Sequence, residues 1–130
     1  LYREDPPGEA MNAAKVMRTV TMLSRAPERG RIVIFDINNE VAGYAIVIHC
    51  WSNEFSGDIH LLDEMYIMPH KRNLGIGTAF LQHLLGQIDE SVKGLLVEVT
   101  PDNHRALRFY ESLGFTAATN RHLFIPLPLH

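Results

Sequence analysis

The feature that most constrains this sequence is a short turn with two glycines, Arg72-Asn73-Leu74-Gly75-Ile76-Gly77-Thr78, between an apolar run and an amphipathic stretch. Glycine permits backbone angles that other residues avoid and lets a ligand come close to the main chain. The first N–H groups and the dipole of a following helix attract anions, to which Arg72 adds charge and Thr78 a hydroxyl donor. The turn therefore predicts a strand–turn–helix unit that binds a diphosphate.

Two familiar phosphate-binding loops do not fit the turn. A Walker A loop requires Lys followed by Ser or Thr after its last glycine, whereas Thr78-Ala79 follows here. A Rossmann fingerprint requires a third glycine and an early βαβ unit, whereas this turn comes after a third predicted strand. The turn is therefore assigned to neither class.

The hydrophobic pattern predicts alternating helices and strands along the whole chain. Apolar residues spaced three and four apart predict helices over Glu9–Ser24, Thr78–Ile88 and His104–Leu113. Runs of β-branched and apolar residues predict strands over Arg31–Ile37, Val41–Trp51, Ile59–Met68 and Leu95–Val99, with Phe115–Ala118 and His122–Leu127 as a closing pair. We expect one domain over residues 1–130, with an α/β (α+β) fold in which a mixed, mostly antiparallel central sheet is flanked by helices.

Composition narrows the possible partners. The net charge is −3 with neutral histidines, so no surface is built to neutralise the many phosphates of a nucleic acid. No apolar stretch approaches the roughly 20 residues that span a bilayer, and no signal peptide is recognisable. The 7 histidines and the single cysteine have no metal-ligand spacing. We therefore expect a cytoplasmic protein that binds no metal, membrane or nucleic acid.

Two motifs give the chain a family resemblance. Arg72–Gly77 resembles the Arg/Gln-x-x-Gly-x-Gly/Ala signature of the GNAT superfamily of acyl-CoA-dependent N-acyltransferases, and Asp63–Pro69 resembles the strand before it. Asn103–Phe115 is similar to the family's Asn-x-x-Ala-x-x-x-Tyr-x-x-x-Gly-Phe segment. The resemblance runs from about Arg31 to the end of the sequence. Family members usually begin with a strand and a helix before the region where this sequence starts, and whether this domain lacks them stays open.

The resemblance implies a GNAT-like fold and acetyl-CoA as co-substrate, with no metal. The pantetheine arm of acetyl-CoA would pair with the backbone of Met65, Tyr66 and Ile67. Asn103 would hydrogen-bond to the same arm or would instead cap a helix. The residues expected at the pyrophosphate are Arg72, Asn73, Leu74, Gly75, Ile76, Gly77 and Thr78.

The resemblance also implies direct transfer of the acetyl group to a primary amine in a ternary complex. Tyr110 matches the tyrosine whose hydroxyl lies near the thioester sulfur, where a phenol can protonate the departing thiolate. Glu64 and Glu98 are both candidate bases for the amine proton, and a solvated sheet face explains either one equally well. Asp63 ranks lower because it points away from Glu64 on a regular strand, although a bulge would change that alternation.

Three questions stay open at this point. The acceptor is a small-molecule or peptide amine, and a homodimer is compatible with the family resemblance. A non-catalytic module that binds or senses acyl-CoA is the alternative function.

Overall fold

The computed structural model describes residues 13–118 and 120–129. The described chain has helices α1 (Ala13–Arg25), α2 (Ile76–Gly86) and α3 (His104–Ser112) and strands β1 (Gly30–Ile37), β2 (Glu40–Ser52), β3 (Gly57–Ile67) and β4 (Val92–Val97). Short 3₁₀ turns at Pro27–Arg29 and Pro69–Lys71 precede β1 and follow β3. The predicted sheet flanked by helices is therefore confirmed.

The four strands form one mixed sheet in the order β1-β2-β3-β4. The first three strands are antiparallel neighbours, and β4 runs parallel to β3 after the crossover through α2. Asn38 and Asn39 join β1 to β2 with φ of 53° and 64°. Positive φ at both central residues is typical of the tight hairpin turn whose twist matches that of the strands. This hairpin sets the register between β1 and β2.

A β-bulge at Asp63 interrupts the pairing of β2 with β3. Ile46 lies opposite Glu64 whereas Val47 lies opposite Leu62, so Asp63 has no opposite residue on β2. The extra residue lets Leu62 and Met65 both face the core although they are three positions apart. Asp63 is exposed and Glu64 is buried. The two carboxylates therefore lie in different environments, although the strand is bulged and not regular as the ranking of Asp63 assumed.

The hydrophobic core lies between one sheet face and helices α2 and α3. Its buried members are Phe35, Ala42, Ala45, Val47, Leu62, Met65 and Ile67 from the sheet and Phe80, Leu81 and Leu84 from α2. The rings of Phe35 and Phe80 are 5.0 Å apart between centroids. Phe109, Tyr110 and Leu113 of α3 pack against the same cluster. This packing holds the start of α2 and the face of α3 beside the end of β3.

The expected closing strands, Phe115–Ala118 and His122–Leu127, are wrong. Neither range is a strand in the described chain, and the side chains of Leu123 and Phe124 are 95% and 89% exposed. An apolar, β-prone run becomes a strand only where a partner edge receives it, because β-propensity mostly reflects neighbours.

Several element bounds also differ from the expectation. Strand β4 runs from Val92 to Val97, so Glu98 follows the strand instead of lying within it. Helix α2 begins at Ile76, two residues before Thr78. Helix α1 is described from Ala13 onward, and the first part of the predicted helix, Glu9–Asn12, lies outside the described residues. Differences of this size arise because hydrophobic periodicity locates a helix or strand but not its ends.

Candidate functional site

The glycine turn begins α2 with a left-handed backbone. Asn73 has φ of 64°, and Gly75, the N-cap of α2, has φ of 78°. A Cβ built at Gly75 would meet nothing within 4 Å, so the requirement for glycine there is conformational and not steric. Asparagine is also among the residues that tolerate this region. The two residues together turn the chain from the 3₁₀ turn into the helix.

The N–H groups of this turn have no hydrogen-bond partners in the part of the chain that the structure describes. Residues 73 to 78 contribute six of them, and none hydrogen-bonds to another described residue. The flanking N–H groups are bonded: Lys71 donates to the Met68 carbonyl at 2.8 Å, and Ala79 to the Gly75 carbonyl at 3.0 Å. Unpaired N–H groups at a helix start carry partial positive charge and bind anions. The turn therefore presents a ready set of donors for a diphosphate.

Two contacts with residues of β3 hold the Arg72 side chain at the end of that strand. Its Nε donates to the Ile67 carbonyl at 2.8 Å, and its Cζ lies 5.5 Å from the centre of the Tyr66 ring. The neighbouring Lys71 pairs instead with Glu40 at 3.0 Å, which lowers the pKa of that carboxyl through the hydrogen bond and the opposite charge. Arg72 is thus the basic residue placed at the turn.

Helix α3 is tied to the same turn by a contact that the sequence analysis missed. Arg105 Nη2 donates to Asn73 Oδ1 at 2.6 Å. The two residues are 32 positions apart, so no local pattern indicates the contact. A second guanidinium therefore lies beside the N–H groups of the turn.

One edge of β3 is open next to the turn. On one side β3 pairs with β2 as far as Ile67, but on the other side it pairs with β4 only as far as Leu62 opposite Val97. Beyond Leu62, no strand of the described chain continues along that side. The predicted pantetheine-pairing residues Met65, Tyr66 and Ile67 lie in this segment. An extended amide-containing chain can add to such an edge.

Tyr110 lies on the side of α3 that faces the core. Its ring makes edge contacts with Phe109 and Phe115, with centroids 5.2 Å and 5.4 Å apart. Burial raises its pKa to about 12, because the phenolate would be poorly solvated there. The phenol therefore keeps its proton at neutral pH and can donate it.

Glu64 is a buried carboxyl group with one hydrogen bond. Its residue is 6% exposed, and its Oε1 accepts from the Tyr44 hydroxyl at 2.7 Å. Its Oε2 is buried and has no hydrogen-bond partner among the described residues. Tyr44 also contacts Tyr66, with ring centroids 5.9 Å apart. The sequence analysis missed Tyr44, and the signal that could have found it is the β2–β3 register, which puts it diagonal to Glu64.

The other two predicted residues differ from Glu64 in their surroundings. Glu98 is exposed, one residue beyond the end of β4, and has no hydrogen bond or ion pair to a described residue. Asn103 is the N-cap of α3, and its Oδ1 accepts from the Ala106 N–H at 3.1 Å. The capping interpretation of Asn103 is thereby confirmed.

Within residues 13–118 and 120–129, no group of three or more His, Cys, Asp or Glu side chains is arranged to hold a metal ion. In the same part of the chain, every helix is too short or too polar to cross a bilayer.

The sequence is similar to curated enzymes over part of its length. It is 32% identical over 90 residues to the ribosomal protein bS18-alanine N-acetyltransferase of Escherichia coli (strain K12). The match covers 68% of this chain and 57% of that enzyme, so the chain spans little more than half of its relative.

The fold is similar to that of solved structures. An integron cassette protein, HFX_CASS3, from the mobile metagenome of Cole Harbour Salt Marsh matches with a TM-score of 0.77 at 27% identity, over 95% of this chain and 76% of that one. A possible acetyltransferase from Clostridium difficile 630 matches with a TM-score of 0.79 at 18% identity, over 95% and 82% of the two chains, which shows the shared fold alone.

A protein-family model matches the sequence over a range that contains both motifs and the glycine turn. It matches residues 2–115, which is most of the sequence. The chain belongs to the acetyltransferase (GNAT) family.

Proposed function

We propose that the protein is an N-acetyltransferase that moves the acetyl group of acetyl-CoA to a primary amine by direct attack in a ternary complex. The observation that carries the proposal is the set of six unpartnered N–H groups at residues 73 to 78, beside the open edge of β3. The donors suit the diphosphate of the co-substrate, and the edge suits the amides of its pantetheine arm. Arg72 adds positive charge at the same end of β3.

The chemistry requires two proton transfers. An alkyl ammonium has a pKa of about 10 in water, like that of lysine, so the acceptor must lose a proton before it attacks. In this proposal a carboxylate, Glu64 or Glu98, takes that proton. The amine nitrogen then bonds to the thioester carbonyl carbon as the carbon–sulfur bond breaks. The electron pair leaves with sulfur, and Tyr110 protonates it, so the products are an amide and free coenzyme A.

Tyr110 suits the second transfer for an electrostatic reason. Its raised pKa, about 12, keeps the phenol protonated throughout the physiological range. A thiol is far more acidic than that, so proton transfer from Tyr110 to the thiolate is uphill and is completed when the phenolate is reprotonated from solvent or from the carboxyl group.

The relative's printed name suggests the first acceptor to test. That enzyme is named for an alanine of a ribosomal protein, so we propose the α-amino group of a peptide that begins with alanine as the acceptor class. The chain's net charge of −3 favours the approach of a cationic amine.

The test is release of free coenzyme A from acetyl-CoA in the presence of an alanine-initiated peptide and a panel of other primary amines. Acceptor-dependent thiol release, with acetylated product detected by mass spectrometry, is the expected result. Calorimetric binding of acetyl-CoA without turnover of any amine would refute catalysis and favour the alternative, a module that senses acyl-CoA. Absence of binding would remove both functions.

A further inference from the structure

The interaction between Tyr44 and Glu64 is the part of the site that the proposed function does not yet explain. The Tyr44 hydroxyl donates to Oε1 at 2.7 Å, while Oε2 is buried without a hydrogen-bond partner. Burying an ionisable group is costly, and an unsatisfied oxygen adds to the cost. A carboxyl group kept only for packing would be replaced at no loss by an apolar side chain.

The β-bulge at Asp63 places Glu64 where Tyr44 can reach it. Leu62 faces the core, so an uninterrupted strand would make Glu64, two residues later, face the core as well. The extra residue reverses the alternation, and Glu64 instead lies opposite Ile46 on the face that carries Tyr44. Bulges re-aim side chains in this way, often beside active sites.

The bulge also coincides with the open edge of β3. Pairing with β4 ends at Leu62, one residue before the bulge. Glu64 therefore belongs to the segment along which the pantetheine arm is proposed to lie. Glu98 comes from the other side of the same opening, but it is exposed and has no partner among the described residues.

The ionisable groups near Glu64 come from two strands and the following turn. Tyr44 is on β2 and donates to it, and Tyr66 is on β3 with its ring against that of Tyr44. The guanidinium of Arg72 lies over the Tyr66 ring, with its Cζ 5.5 Å from the ring centre. Tyr44 is the neighbour whose hydrogen bond orients the carboxyl group.

We propose that Tyr44 is a positioning residue, and that by holding Oε1 it leaves Oε2 of Glu64, and not Glu98, to take the proton of the acceptor amine. The inference rests on the proposed function. The acceptor ammonium passes one proton to Oε2 and becomes a neutral amine, and the carboxyl group returns that proton to solvent after transfer. Tyr44 keeps its own proton and touches no reacting atom.

An NMR spectrum that needs no acceptor tests the contact. Protein is labelled with ¹³C at the glutamate carboxyl carbons, and the Glu64 signal is identified by its loss in Glu64→Gln. The hydrogen bond from the Tyr44 hydroxyl alters the shielding of the carboxyl carbon, so Tyr44→Phe should move the Glu64 signal at constant pH. An unmoved Glu64 signal in Tyr44→Phe would show that the hydroxyl does not act on Glu64.

The pH dependence of kcat/KM with acetyl-CoA and an alanine-initiated peptide tests the role. Tyr44→Phe should change the acid limb of this profile, with the KM for acetyl-CoA unchanged. Glu64→Gln should lose about 100-fold or more in kcat, the usual contribution of a general base. The exposed Glu54→Gln, in the β2–β3 loop, is the matched control and should behave as wild type.

The outcomes separate the two levels of the proposal. A larger loss in Glu98→Gln than in Glu64→Gln would overturn the base assignment, and so would a wild-type pH profile in Tyr44→Phe. If wild-type protein releases no coenzyme A with any amine, the proposed function and the base assignment fall together. The NMR spectrum still decides the Tyr44 contact in that case. Since Tyr44→Phe removes only one oxygen, its pH profile remains informative if Glu64→Gln does not fold.

Discussion

Substituting Gly75 by alanine should strain the glycine turn, because this residue adopts φ of 78°. An L-residue in the left-handed region costs about 1–2 kcal/mol. The structure offers no compensating contact and no clash, since a Cβ at this position meets nothing within 4 Å. The whole effect should therefore come from the backbone. For a chain of this length, that cost lowers the melting temperature by about 3–10 °C.

The same strain energy can instead weaken the binding of coenzyme A. If Gly75→Ala relaxes out of the left-handed region, the six N–H groups no longer converge, and the strain appears as weaker binding of coenzyme A. A loss of 1–2 kcal/mol corresponds to about a 5- to 30-fold higher Kd. Thermal unfolding measured together with calorimetric binding of coenzyme A captures both forms of the effect.

Two matched variants make the result decisive. Gly86, at the end of α2, also has open space for an added methyl group but no positive φ, so Gly86→Ala should leave stability unchanged or raise it by up to about 1 kcal/mol. Gly75→Asn should keep most of the stability, because asparagine tolerates the left-handed region. If Gly75→Ala melts and binds like wild type, the backbone reasoning for this turn is refuted.

Three further predictions concern stability and chemistry. Burial, and then the neighbouring His49, lower the pKa of His60 below its ordinary value of 6.5, so the unfolded chain binds more protons than the folded one. The free energy of unfolding should therefore fall as the pH drops below about 6.5. A urea midpoint that is flat between about pH 5.5 and 8 would contradict this. Tyr110→Phe should lower kcat by about 100-fold or more while leaving the Kd for acetyl-CoA unchanged, and equal turnover by variant and wild type would remove the proton-donor role. Leu81→Ala should lower the free energy of unfolding by about 3 kcal/mol in urea titrations, because Leu81 is fully buried in the core, whereas Leu107→Ala on the exposed side of α3 should cost well under that.

The arrangement around His60 gives the physical reason for this pH dependence. The rings of His49 and His60 stack at 4.2 Å across β2 and β3. His49 Nε2 and His60 Nδ1 are both buried without hydrogen-bond partners. Protonating His60 would place a charge in a site that supplies no acceptor for it, which favours unfolding in acid.

The sequence by itself determined the features that depend on local conformation. The hairpin at Asn38-Asn39, the glycine turn before α2 and the cap at Asn103 each need only a few adjacent residues, and the structure has all three. The main helices and strands follow from hydrophobic periods of 3.6 and 2 for the same reason. The two family motifs could be read in the same way, because their residues are contiguous.

Only the tertiary structure decided which distant residues meet. The Tyr44–Glu64 hydrogen bond depends on the β2–β3 register and on the extra residue at Asp63, neither of which leaves a local pattern. The Arg105–Asn73 bond depends on how α3 packs beside α2. Register and helix packing are set by the burial of the whole core, and a shift of one residue would turn Glu64 to the other face of the sheet. For the same reason the apolar run at 122–127 could not be placed from its composition, because a strand exists only where another strand accepts its hydrogen bonds.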